Sequence, residues 1–459
     1  MASVRKKRSG FACVYYFTND QGERKQRWEQ FPTYAEAHKR RAEIEYKQSK
    51  GDFVAPTKQT IAAFMEDFVS LYGPKKWGTS VYAGNTSLIA NYINPIIGDL
   101  CVQDINTRAV DVYIQKLQKT QPVETNGRKA KAEFLPPPTI EKIFKLLRCA
   151  FKQAVRWEIV SKNPFDNAVL PKVERVRREI WNAAMIKTAL DQCTDAKLYV
   201  AMNLSFACSM RVGEILGLTW DNTHISDTDI AADDAYVYID KELARVSREA
   251  MEIVGNQGII KVFPIVMSNC GATRLVLKNP KTESSVRKVW LPKTVAYILR
   301  EWKESQQKQM DFLGDEYVDY NLVVAQSNGR PCEIKLIENE FNRLKERAGL
   351  PNVVFHSLRH SSTTYKLKLN KGDIKATQGD TGHAESDMVT QVYAHILDED
   401  RKVGAQKFEA AFYSNPDLRE AKAPGEQPVT LNVELLIAQL RNSPELASAL
   451  AGLIAKPVG

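Results

Sequence analysis

Four of the six histidines in this 459-residue chain fall between positions 356 and 395, in the stretch HSLRHSSTTYKLKLNKGDIKATQGDTGHAESDMVTQVYAH. They are His356, His360, His383 and His395. Arg359 follows His356 by three residues, so the two share a face if this segment is helical. Tyr393 lies ten residues beyond His383, past the acidic segment Ala384–Asp387. A guanidinium, imidazoles and a phenol in one stretch suit phosphoryl transfer to a tyrosine. Arginine grips non-bridging phosphate oxygens with two parallel bonds, histidine moves protons near neutral pH, and tyrosine attacks. A free phenol has a pKa of about 10, so ionising it at pH 7 costs about 4 kcal/mol. A nucleophilic tyrosine therefore needs a base and positive charge around it.

Upstream, SFACSMRVGEILGLTWDN contributes Arg211 with Glu214 close by, and NPKTESSVRKVWLP contributes Lys281. With His356-Ser-Leu-Arg359-His360, Gly382-His383 and Thr390-x-x-Tyr393-x-His395, these boxes resemble, in order, the signature of the tyrosine recombinase (phage integrase) family. The resemblance covers roughly residues 1–412. It implies that Arg211 and Arg359 hold the scissile phosphate and stabilise a five-coordinate transition state. It puts Lys281 on a β-hairpin, with Arg287 returning on the other strand, as the proton donor to the leaving 5′-oxygen. His356 is then the base side of the acid–base set, and His383 bonds a phosphate oxygen. Glu214 orients a histidine or arginine. Tyr393 attacks and leaves a 3′-phosphotyrosyl link and a free 5′-hydroxyl. That link conserves the phosphodiester energy, so rejoining is expected to need no ATP, metal or other cofactor. One departure is Thr381, where the family usually has a large aliphatic residue before Gly-His.

Other readings of the same residues exist. Lys278 and Lys288 are rival lysines, and Tyr365 and Tyr413 rival phenols outside the Thr-x-x-Tyr-x-His setting. His356 and His360, at i and i+4, could form half of a zinc site. That reading lacks the glutamate of HExxH and leaves Arg211 unexplained. His360 and His395 are expected to serve packing or hydrogen bonding. The sequence contains no P-loop and no acidic metal cluster.

The chain must also build the elements that hold these residues. At 44% apolar and 26% charged residues it has the composition of a globular protein. Its +9 formal charge favours polyanionic partners. The seven cysteines are scattered with no CxxC pair, so neither a disulfide framework nor a zinc ribbon is indicated. No apolar run approaches a membrane span. The expected location is the cytoplasm of a bacterial host.

The expected fold class is α+β and multidomain. Residues 1–55 form a small sheet plus a helix. Within them, residues 1–50 hold twelve basic against six acidic residues, which is +6 of the +9. FACVYYF and RKQRWEQF read as strands around the turn NDQG, and Thr33 with Glu36 as the start of a helix. Ser3–Ser9 reads as a disordered basic tail. This unit resembles an arm-type DNA-binding domain, with Arg24, Lys25 and Arg27 near the DNA. Residues 56–172 read as all helical, with helices at Thr86–Ile93 (stopped by Asn94-Pro95), Thr107–Lys119 and from Thr139 to Trp157. They resemble the family's core-binding domain, with Lys75, Lys76, Arg128, Lys129 and Lys131 as DNA-contact candidates. Residues 173–414 are the catalytic domain, mainly helical with a small antiparallel sheet. Residues 223–276 look like an insertion, with a helix-like KELARVSREAME between two β-like runs. Residues 415–459 are a linker and a helical tail, expected to pack on a neighbouring protomer or on its own domain.

The resemblance implies a mobile-element integrase acting on double-stranded attachment sites. It implies self-association into a tetramer on DNA and an excisionase or other directionality factor. A type IB topoisomerase-like enzyme and a non-catalytic DNA-binding regulator of the same fold are the alternatives.

Overall fold

The computed structural model describes residues 2–18, 22–50, 53–54, 56–124, 132–171, 179–265 and 271–382. At the N-terminus, β1 (Ser3–Lys7), β2 (Gly10–Thr18) and β3 (Arg24–Phe31) form an antiparallel sheet in that order, with α1 (Tyr34–Lys50) against it. Thr33 Oγ1 accepts from the Glu36 amide at 3.3 Å, which starts α1 as its sequence suggests. The register pairs Cys13 with Glu29, Tyr15 with Arg27 and Phe17 with Lys25, so these six share one face. That face packs on Ile44 of α1. The other face is open and carries Arg5, Lys7, Tyr16, Arg24 and Trp28.

One expectation changes here. Ser3–Lys7 is a strand and not a disordered tail: its backbone pairs with β2, and Arg5 and Lys7 stack over the Trp28 ring at 5.2 and 4.6 Å. Cation–π contact and ladder bonds offset the repulsion of its charges. Arg24 lies on the opposite face of β3 from Lys25 and Arg27, because strand residues alternate. Arg24 lies on the open face over the Tyr16 ring at 4.5 Å. Arg27 turns toward the helix side, where Nη1 donates to Pro56 O at 3.5 Å.

The next segment is helical: α2 (Ile61–Leu71), α3 (Gly73–Lys76), α4 (Thr79–Leu88), α5 (Asn94–Ile97), α6 (Thr107–Gln118) and α7 (Pro137–Arg156). Its core is aromatic, with Phe64 meeting Phe151 at 5.8 Å and Trp157 at 6.2 Å. Burying each phenyl ring fully contributes about 1.5–3 kcal/mol. The helix expected from Thr86 begins at Thr79, and Pro95 does not end it. A π-turn over Ile89–Ile93 absorbs the break, and Pro95 lies in the first turn of α5, where its missing N–H costs nothing. Lys75 and Lys76 sit exposed in α3.

The third segment runs α8 (Ala183–Asp191), α9 (Ala196–Ala207), α10 (Val212–Gly217), β4 (Thr223–His224), α11 (Asp227–Ala231), β5 (Tyr236–Ile239), β6 (Glu242–Ser247), α12 (Arg248–Val254), β7 (Ile259–Val262), β8 (Thr273–Lys278), β9 (Arg287–Trp290), α13 (Lys293–Leu313), α14 (Ile334–Ala348), α15 (His356–Leu369) and α16 (Ile374–Thr381). A large apolar core joins α8 to α11 and α13 to α15 to the inner face of β5 and β9. Two three-stranded antiparallel sheets appear where one was expected, in the orders β4-β5-β9 and β6-β8-β7. KELARVSREAME is half strand: β6 precedes α12. In NLVVAQSNGRP, Leu322 bridges Thr219 and Ala325 bridges Pro331. The segment expected as an insertion thus builds the second sheet, and its α12 packs on α3 and α4.

Among the described residues, no helix is long and apolar enough to cross a membrane, and the six described cysteines are free thiols. Arg128, Lys129, Lys131, His383, Tyr393, His395, Tyr413 and the tail helices of residues 415–459 lie outside the described residues.

Candidate active site

Arg211 is the N-cap of α10. Glu214, three residues on, accepts from the Arg211 amide at 2.9 Å and from its Nη1 at 2.6 Å. A carboxylate at this position satisfies an otherwise orphaned helix N-terminus and fixes the arginine at once. The helix is brought to its place by close packing on β6. A Cβ on Gly217 would come within 2.7 Å of the Leu243 amide nitrogen, so only glycine allows this approach.

Arg359 lies in α15, three residues after His356, and is 1% exposed. Its Nη2 donates to Thr381 O at 2.6 Å and its Nη1 to Ser209 O. Ser209 takes a left-handed backbone at φ 54°, which costs a non-glycine residue about 1–2 kcal/mol. Its hydroxyl pairs with Ser362 Oγ at 2.5 Å, which ties the strained turn to α15. Arg211 Nη2 donates to Gly382 O at 3.2 Å. Arginines from α10 and α15 therefore converge on two consecutive carbonyls, immediately before His383.

Burial, with Arg211 the next cause, pulls the Arg359 guanidinium down to about 9. An anion bound there would favour its charged form. Burial alone would raise the Glu214 carboxyl, but Arg287 and Arg211 outweigh it and hold the group below the ordinary carboxylate range.

Lys281 is exposed on the connection between β8 and β9. That connection is not a hairpin: β8 pairs with β6 and β7, and β9 with β5. The segment crosses from one sheet to the other and is anchored by hydroxyls. Thr282 Oγ1 pairs with Ser285 Oγ at 2.9 Å, and Ser285 Oγ accepts from Arg211 Nη1 at 3.3 Å. The rival lysines are engaged elsewhere. Lys278 pairs with Glu242 at 3.1 Å, and Lys288 lies 3.6 and 3.8 Å from the Tyr236 and Trp290 ring centres.

His356 is half-buried in the first turn of α15, its ring 4.8 Å from that of His360 and perpendicular to it. Among the described residues no group of three or more ligand-type side chains could hold a metal ion. The rival phenol Tyr365 is used structurally: its hydroxyl accepts from the Ala183 amide at 2.8 Å and its ring meets Phe206. Thr381, the departure from the expected aliphatic residue, is fully buried, and its hydroxyl donates to Thr377 O at 2.7 Å.

Arg287 is the site residue whose importance sequence reasoning missed. Its Nη1 and Nη2 reach the two Glu214 oxygens at 3.3 and 3.2 Å. The signal was present in RKVWL: if Val289 and Leu291 point inward, Arg287 does too, and a buried arginine needs a carboxylate.

Residues 242–400 match the phage integrase family profile. The chain is 24% identical over 268 residues to a tyrosine recombinase XerC-like protein of Caldanaerobacter subterraneus subsp. tengcongensis, covering 56% of this chain and 62% of that relative. The alignment thus spans less than two thirds of that protein. It is 23% identical over 313 residues to the ICEBs1 integrase of Bacillus subtilis, covering 66% of this chain and 75% of that one. The fold resembles that of the Tn1549 transposon integrase, solved in complex with a circular intermediate DNA. That likeness has a TM-score of 0.57 and 17% identity, over 76% of this chain and 99% of the other.

Proposed function

We propose that this chain, which belongs to the phage integrase (tyrosine recombinase) family, is a site-specific DNA recombinase that integrates and excises a mobile element. The observation that carries the reading is the convergence of Arg211 and Arg359 on the Thr381–Gly382 carbonyls. Two forked cations aimed at one place suit a phosphodiester whose charge spreads over its oxygens during attack.

In this reading Tyr393 attacks phosphorus and forms a 3′-phosphotyrosyl bond as the bond to the 5′-oxygen breaks. Lys281 delivers the proton that the departing oxygen needs. His356 serves as base, and His383 donates to a phosphate oxygen. The 5′-hydroxyl of a second strand then reverses the step and releases Tyr393. The duplex attachment site is the substrate, and four copies on two sites would allow paired exchange, with a directionality factor choosing excision or integration. The open face of the N-terminal sheet, with Arg5, Lys7 and Arg24 stacked on aromatic rings, is the arm-type DNA contact, and Lys75 and Lys76 of α3 contact the core site.

A nicked duplex carrying the flanking DNA of the element that encodes this protein tests the reading. The broken strand traps a covalent protein–DNA complex, which survives denaturing electrophoresis.

A further inference from the structure

Arg287 is buried, its side chain 7% exposed, and it makes three contacts around Arg211. Its fork holds both oxygens of Glu214, the carboxylate that also binds Arg211 through its backbone and Nη1. Its Nη1 donates to Ser285 O at 3.0 Å, while Ser285 Oγ accepts from Arg211 and links to Thr282, the neighbour of Lys281. Its guanidinium also lies against Gly382, where an added Cβ would fall 2.8 Å from Nε and Nη1. Gly382 O is in turn an acceptor for Arg211. Glu214, Ser285 and Gly382 are the groups that set the direction of the Arg211 side chain, and Arg287 touches each of them.

We infer that Arg287 is a positioning residue for strand cleavage: through Glu214, Ser285 and Gly382 it fixes the Arg211 guanidinium relative to the Lys281 segment. The inference rests on the recombinase reading. Without Arg287, the Glu214 carboxylate has Arg211 as its remaining cation and can rotate to close a two-point pair with it. That pair would draw the Arg211 fork away from phosphate. A lysine keeps the charge but offers a point in place of a planar fork, so it cannot fix the carboxylate plane.

The test uses the full chain and the nicked duplex. It measures the single-turnover rate of covalent complex formation at saturating DNA, the Kd for the same duplex, and thermal unfolding. Wild type, Arg287→Lys, Glu214→Gln and the double variant are compared. Misplacing a reacting group costs about 100-fold, so Arg287→Lys is expected to cleave about 100-fold slower with Kd changed less than about threefold. The double variant is expected to lose less than the product of the two single losses, since both share the Glu214 carboxylate. Wild-type cleavage by folded Arg287→Lys, or losses that multiply in the double variant, would overturn the inference. A slow variant whose deficit matches its weaker DNA binding or unfolded fraction also overturns it. Should Arg287→Lys fail to fold, Ser285→Ala removes one arm of the brace, and an unchanged cleavage rate there overturns it too. A wild type that forms no covalent complex sinks the recombinase reading itself, and this inference with it.

Discussion

Arg211 and Arg359 donate to consecutive carbonyl oxygens, those of Gly382 and Thr381. The residues that hold phosphate in the proposed mechanism are thus coupled to the backbone at the C-terminal end of α16.

Replacing Arg359 by lysine keeps a cation but removes the planar fork whose two nitrogens reach Ser209 O and Thr381 O. Losing one preorganised donor to developing charge slows cleavage by about 100- to 1,000-fold. Single-turnover cleavage of the nicked duplex, normalised to folded protein, measures this. A loss below tenfold would contradict the assignment.

Gly382→Ala meets two obstacles at once. The backbone is left-handed at φ 65°, and the new methyl would sit 2.8 Å from the Arg287 fork. The strain alone costs about 1–2 kcal/mol, and displacing Arg287 adds to it. Urea denaturation followed by circular dichroism reads the change, and covalent complex formation falls with it. An unaltered denaturation midpoint would contradict the packing described.

Glu214 gives a pH signature. Its folded carboxyl is held below its ordinary value of 4.5, so its contribution to stability is fully present above that value and is lost as pH falls through the folded one. Glu214→Gln lacks this contribution at every pH. The Tm gap between wild type and Glu214→Gln therefore narrows as pH drops from 7 to 3. A gap that stays constant or widens would show that the ion pairs with Arg287 and Arg211 do not hold the carboxylate down.

The N-terminal sheet makes a prediction by face. Arg24 and Lys7 lie on the open side, and Arg27 on the helix side. Each phosphate contact removed lowers the slope of log K against log salt by about 0.9. Lys7→Gln with Arg24→Gln is expected to reduce the slope for arm-site DNA by about 2, while Arg27→Gln leaves it near wild type. Equal effects from both faces would argue against the open face as the contact.

Much of this arrangement was legible in the sequence. Arg211, Glu214 and Arg359 are flanked by residues that dictate local structure. A helix cap three residues from its acidic partner, and a histidine and arginine on one helix turn, are short-range patterns. Lys281 was legible as a residue but not in its setting, because the pairing of β8 with β6 spans a segment whose strand was hidden in a helix-like run. KELARVS has the charges of a solvated helix, yet pairing and packing on α10 make it a strand. Arg287 was overlooked because charge pattern reads as surface, and only the alternation of its strand reveals that it points inward. Ser3–Lys7 misled for the same reason: its charges are accommodated by the Trp28 ring supplied by β3.

The most direct test of the central claim compares wild type with Tyr393→Phe on the nicked duplex. Wild type is expected to give a covalent protein–DNA band on a denaturing gel and Tyr393→Phe none, while both bind the duplex with similar affinity. A band that persists in Tyr393→Phe would mean that another nucleophile acts, and the assignment of the reaction to Tyr393 would fall.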